Sequence, residues 1–175
     1  AQVRLLVQDR ASLQESLAAA TEAGKVWRSR PAGGRADLLE EAAGHLASSG
    51  APAEWAAAVR LTVAHLRAHW DRPQPLPGPT GEGNELSVRP LGVLACLFDA
   101  GSELEAEITA VAAALAAGNS VVLWSRDTSP AMTALTQSLA DAGLPAGLLT
   151  RPAAGDDASL ADLLADARLA GAVVA

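Results

Sequence analysis

The chain has 175 residues and a formal net charge of −7, is 50% hydrophobic and 19% charged, and holds four Trp, one Phe and no Tyr. That balance excludes an intrinsically disordered chain, which has fewer apolar residues at higher charge density. It also excludes a nucleic-acid footprint, which needs clustered Lys and Arg. With 41 Ala and 26 Leu, the expected core is small-toothed, so its elements can approach closely.

Residues 12–27 read as a helix, opened by a Ser12/Glu15 capping box, with Leu13, Leu17 and Ala20 at helical spacing and Gly24 weakening its end. Pro31–Gly34 is a break. A second helix is expected over 35–47, with Leu38, Leu39, Ala42, Ala43 and Leu46 on one face. After a second break at 48–52, Pro52 suits the first turn of a third helix. There Trp55, Val59, Val63, Leu66 and Trp70 share a side. Residues 73–84 hold four prolines and three glycines, too many for a helix or a central strand, and read as a connector.

From residue 92 the period changes. Gly92–Phe98 is a continuous apolar run, as expected of a buried parallel strand. A Ser102/Glu105 capping box opens a helix over 103–117 with Leu104, Ile108, Val111 and Leu115 inward, and Gly118 fits a left-handed stop. Ser120–Trp124 is a second strand. Ser129-Pro130 opens a helix through Ala142 with Met132, Leu135 and Leu139 inward. Ala146–Thr150 is a third strand. Ser159–Ala167 is a helix with Leu160, Leu163 and Leu164 inward, and Gly171–Ala175 a fourth strand. This alternation predicts an α/β fold: a Rossmann-like doubly wound parallel sheet (92–175) with an N-terminal helical section (1–72) and a Pro/Gly-rich connector with a short strand (73–91), one compact domain in all.

No apolar run approaches the roughly 18 residues of a membrane span. The N-terminal AQVRLLVQDR carries charges where a signal peptide needs its apolar core. A lone cysteine makes no internal disulfide. The expectation is a soluble, cytoplasmic protein.

Ligands on such sheets bind beyond the carboxyl ends of the strands, here 98–102, 124–129 and 150–157. No Gly-x-Gly-x-x-Gly follows the first strand, and no Gly-Lys-Ser/Thr exists. Free N–H groups near Ser102 suit an anion, but Glu103, Glu105 and Glu107 would repel a phosphate. His65 and His69 are spaced i, i+4 without a third ligand pattern, so no metal site is expected. Cys96 lies in an apolar strand and reads as an inert core thiol. Ser102, Ser129 and Ser159 read as helix caps, and Asp156, Asp157, Asp162 and Asp166 as solvated acids. Trp27, Trp55, Trp70 and Trp124 read as packing or interface anchors. No catalytic constellation emerges.

The stretches PLPGPTGEGNEL (75–86), RPLGVLAC (89–96), AAALAAGNSVVL (112–123), TSPAMTALTQSLADAGLPAGLL (128–149) and ARLAGAVVA (167–175) together resemble the aldehyde dehydrogenase superfamily. They are most similar to the proline utilization A branch, which oxidises proline through a flavin and then glutamate semialdehyde with NAD. The resemblance implies Gly101 where active members carry an oxyanion-stabilising Asn. It implies Trp124 and Asp127 where they carry the Lys and Glu that hold the adenosine ribose. Cys96 falls at a non-catalytic strand cysteine, and Lys25, the one lysine, is not at the ribose position. The nucleophilic Cys and general-base Glu would lie beyond residue 175.

The resemblance therefore implies a non-catalytic aldehyde-dehydrogenase-like domain, as carried by long proline utilization A proteins, helping to enclose a substrate-channelling cavity. No catalytic residue and no cofactor are expected in this chain; Gly101, Trp124 and Asp127 are vestigial cofactor positions. NAD and FAD belong to the expected parent. The expected partners are its dehydrogenase and proline dehydrogenase modules, with a homo-oligomer left open. Two alternatives remain: an N-terminal NAD-binding fragment of an NAD-dependent glutamate-semialdehyde dehydrogenase, and a free-standing ligand-binding module using the strand ends near Ser125–Asp127.

Overall fold

The computed structural model describes residues 13–70, 72–99, 101–126, 129–152 and 157–174. Three helices come first: α1 (Leu13–Ser29), α2 (Ala32–Ser48) and α3 (Ala53–His69). Ser12, half of the expected first capping box, lies outside the described residues. Pro31 and Pro52 stand one residue before α2 and α3, at φ −53° and −52°. There the fixed φ of proline suits the turn, and its missing donor is not needed.

Glycine interrupts the first two helices less than expected: the break at 31–34 is shorter, and Gly24 does not weaken the end of α1. α2 starts at Ala32 because Gly33 and Gly34 occupy its first turn, where N–H groups need no helical partner. Arg35 N–H then closes the first bond onto Pro31 O at 3.1 Å. α1 continues through Gly24 to Ser29. A Cβ at Gly24 would lie 3.0 Å from Ser120 Oγ, so this glycine lets α1 settle on the sheet.

The Pro/Gly-rich connector contains an exposed antiparallel ribbon, β1 (Gln74–Leu76) with β2 (Asn84–Leu86), in which Pro75 faces Glu85. A proline is tolerated here because an exposed edge leaves no buried acceptor unpaired.

The sheet contains β3 (Val93–Phe98), β4 (Ser120–Ser125), β5 (Leu149–Thr150) and β6 (Leu169–Val174), all parallel, in the order β5-β4-β3-β6. Between them run α4 (Leu104–Ala116), α5 (Pro130–Asp141) and α6 (Asp157–Ala165). The chain moves outward from β3 to β5 and then crosses back to β6, which gives the doubly wound topology its switch point between β3 and β6. The third strand is shorter than expected because Gly147, at φ +83°, turns the chain just before it. β6 starts two residues earlier than expected.

Strand alternation splits the core. Leu94, Cys96, Phe98, Val121 and Leu123 face a cluster with α2, α3, α4 and α5. Val93, Ala95, Val122 and Trp124 face the other side, against Leu17 and Ala20 of α1 and Leu163 of α6. Leu164, expected inward, is half exposed: it follows Leu163 by one step of the helix, and the narrow stripe of α6 admits only one of the two. Gly118, at φ +92°, ends α4 in the left-handed region as expected.

Asn119 fixes the spacing of the sheet's entrance. Its Oδ1 accepts the N–H groups of Leu91 and Gly92 at 2.7 and 3.0 Å, and its Nδ2 donates to Ala114 O. Among the described residues, no helix is long and apolar enough to cross a membrane.

Candidate functional site

The carboxyl edge of the sheet brings the β3–α4 and β4–α5 loops together, because Phe98 and Ser125 are register partners at the ends of adjacent strands. Gly101 and Trp124 therefore share this edge, as their placement in the sequence predicts. Asp127 lies outside the described residues, as does Asp156.

In the β3–α4 loop, Asp99 Oδ1 accepts Gly101 N–H at 2.8 Å, and Asp99 N–H donates to Ser102 Oγ at 3.0 Å. The side chain of Asp99 thus folds the loop upon itself. Ser102 is not the cap expected of it. The N-cap residue of α4 is Glu103, which makes no side-chain cap bond. The capping box fails because Ser102 sits one residue too early and its hydroxyl is engaged by Asp99.

Ser129 does cap α5: its Oγ accepts Met132 N–H at 3.1 Å. The same hydroxyl donates to Glu107 Oε2. Glu107 is only 2% exposed. Burial pushes its carboxyl above the ordinary range, against the opposing pull of the Ser129 bond. The sequence groups Glu107 with the solvated Glu103 and Glu105. Helical phase was the available signal, since Glu107 stands four residues before Val111 and eight before Leu115, on the apolar face.

Trp124 is 6% exposed and belongs to the α1/α6 side of the core. Its Nε1–H donates to Ser159 Oγ at 3.2 Å, and the Arg126 guanidinium lies 5.9 Å from its ring centroid. Arg126 also pairs with Asp157 at the start of α6. Ser159 is therefore not a cap but the third residue of α6, bonded to the indole. The helix starts earlier than its periodicity suggests, and Asp157 holds the first-turn position that favours negative charge.

The remaining candidates lie elsewhere. Cys96 is fully buried in β3, and burial raises its thiol pKa to about 12. Such a thiol yields no nucleophilic thiolate near neutrality. His65 and His69 on α3 have ring centroids 4.5 Å apart, with Trp70 edge-on to His65. Among the described residues, no three His, Cys, Asp or Glu side chains converge in a way that could hold a metal ion. Asp166 is held well below the usual carboxylate range by Arg168, which donates to both its oxygens. Trp27 and Trp55 are buried, and Trp70 packs against the core.

Residues 3–174 match the profile of the aldehyde dehydrogenase family. A structure of proline utilization A with proline bound in remote sites is 31% identical, with a TM-score of 0.82 over 97% of this chain and 20% of that one. A bifunctional proline utilization A protein is 30% identical, with a TM-score of 0.79 over 95% of this chain and 20% of that one. The chain thus spans about one fifth of the length of these relatives. PnpE in complex with nicotinamide adenine dinucleotide shares the fold at 21% identity, with a TM-score of 0.79 over 94% of this chain and 39% of that one. No curated protein sequence matches.

Proposed function

The chain belongs to the aldehyde dehydrogenase family, and on that footing we propose that it is a non-catalytic structural domain of a bifunctional proline-catabolic polypeptide. In this reading it packs against dehydrogenase and proline dehydrogenase modules of the same polypeptide, in the cytoplasm, and forms part of the wall of a cavity through which a semialdehyde passes. The wall works by exclusion. An aldehyde kept from bulk water reaches the second active site without hydration or loss, and the domain itself performs no chemistry.

One observation carries the reading. At the end of β4, where the family resemblance expects a lysine for an adenosine ribose, a buried indole fills the space and commits its only donor to Ser159. An indole offers no ammonium to ribose hydroxyls. Two neighbours agree with it. Gly101 has no side-chain amide to stabilise an oxyanion. The carboxylate of Glu107 sits at the N-terminus of α5, where it repels a phosphate. The residues present do not fit a dinucleotide.

Titration calorimetry of the chain with NAD tests this. The expected result is no saturable heat; a micromolar Kd would overturn the reading and favour the NAD-binding fragment of a semialdehyde dehydrogenase. In the parent polypeptide, removal of this segment is expected to increase release of the semialdehyde intermediate to solvent. Unchanged release would remove the enclosing role.

A further inference from the structure

His65 and His69 stand four residues apart on α3, so their side chains leave the same face of the helix one turn apart. Both residues are exposed, and so are Ala64 and Ala68 beside them, whose methyl groups leave the rings open to solvent. Among the described residues, neither imidazole makes a hydrogen bond or an ion pair. Arg67, the charged residue between them, is drawn to α2 by Asp37 at 2.8 Å. Trp70 stands edge-on to His65 with ring centroids 5.2 Å apart and limits how far that ring can turn. His69 is the last residue of α3, where helix-end carbonyls favour a positive charge.

The ring spacing is that of a chelate. An imidazole nitrogen binds a divalent transition metal at about 2.0–2.1 Å, which puts the ring centroid about 3.2 Å from the ion. Two rings in cis positions of a square-planar or octahedral ion, about 90° apart, then have centroids about 4.5 Å apart; at a tetrahedral angle they stand about 5.2 Å apart. The His65 and His69 centroids are 4.5 Å apart. Among the described residues, no third His, Cys, Asp or Glu joins them. That rules out a closed tetrahedral site of the structural zinc kind, but not a site in which water fills the open positions. It also leaves no carboxylate for a hard cation such as magnesium.

We propose that His65 and His69 form a surface chelate for a divalent transition-metal ion of tetragonal geometry, copper(II) first and nickel(II) after it. The order follows from the stability series of these ions with nitrogen ligands. The two imidazoles supply adjacent in-plane nitrogens and water completes the shell, so the ion sits on the surface of α3.

Calorimetric titration of the full chain with the chlorides of copper(II), nickel(II), zinc(II) and magnesium, in a buffer that binds no metal, tests this. One copper(II) per chain is expected, with a Kd in the micromolar range. Nickel(II) and zinc(II) bind about tenfold more weakly or worse, and magnesium gives no saturable heat. His65→Ala and His69→Ala, at exposed positions where alanine keeps the helix, each weaken copper(II) binding by about tenfold or more, because one imidazole alone does not chelate. His45→Ala is the control: that histidine lies on α2 beside Glu41, and its loss leaves the affinity unchanged. Electron paramagnetic resonance of the copper-loaded chain should show a tetragonal centre with two imidazole nitrogens, falling to one in either variant. Copper(II) binding that survives both substitutions, or that falls equally on loss of His45, overturns the proposal, as does a chain that takes no copper(II). The NAD titration is read separately, since neither histidine belongs to the carboxyl edge of the sheet.

Discussion

Replacing Trp124 by Ala should destabilise the chain heavily, because the indole fills the end of β4 and does not merely decorate it. The ring is almost fully buried among Leu17, Ala20, Val122 and Leu163, and so ties α1 and α6 to one face of the sheet. Truncation of a buried tryptophan costs about 3–5 kcal/mol. Trp124→Phe separates the contributions. It keeps an apolar ring and loses the 3.2 Å bond to Ser159 together with part of the packing, a loss of about 1–2 kcal/mol. At this chain length each kcal/mol moves Tm by about 2–4 °C, so the Ala variant should melt roughly 6–20 °C lower and the Phe variant roughly 2–8 °C lower. Urea and thermal unfolding followed by circular dichroism give both values. An Ala variant within about 1 kcal/mol of the parent would mean that the ring is not packed as described. It would also remove the main support for a filled ribose position.

Glu107 sets a pH dependence whose sign follows from its raised folded pKa. The folded state holds the proton to higher pH than the unfolded chain, so stability falls as pH rises from the ordinary carboxylate range to the raised folded value and is level above it. Glu107→Gln, which can still accept the Ser129 hydroxyl, should flatten that slope in unfolding curves taken across the range; an unchanged slope would assign it to other groups. Cys96 should resist a thiol-reactive dye at about pH 8 in the native chain and react fully in denaturant; rapid native labelling would contradict its burial. Gly118→Ala should cost about 2 kcal/mol. The left-handed φ accounts for about 1–2 of this, and the new Cβ would crowd Arg35 Cζ at 3.3 Å and Pro90 Cβ at 3.4 Å. An Ala variant as stable as the parent in urea would show that the α4 terminus can rearrange.

The helices and buried strands were legible where the apolar period was long, as in α4, or continuous, as in β3 and β4. Glycine and proline misled where tertiary packing decided their role. Gly24 sits inside α1 because β4 passes close beneath it, and Pro75 sits in a ribbon because that ribbon is exposed. The carboxyl edge was legible as a place. Its contents were not, because they depend on pairs far apart in sequence. Ser129 reaches Glu107 across 22 residues, and Trp124 reaches Ser159 across 35. Both serines looked like helix caps, since a Ser beside an apolar run is a cap by local logic. Only the sheet's register puts their hydroxyls next to a carboxylate and an indole.

The two edges of the sheet differ in how their polar groups are satisfied. At the carboxyl edge, Asp99 binds Gly101 and Ser102, Glu107 binds Ser129, Trp124 binds Ser159 and Arg126 binds Asp157. A ligand entering there must break these bonds before it makes its own, and each exchange returns little net energy. At the amino edge the Ser120 hydroxyl has no partner among the described residues but is closed off beneath Gly24 of α1, and the exposed Arg28 sheds hydration before it binds anything. If the carboxyl edge bound NAD, internal satisfaction would be a poor guide to where this fold takes ligands.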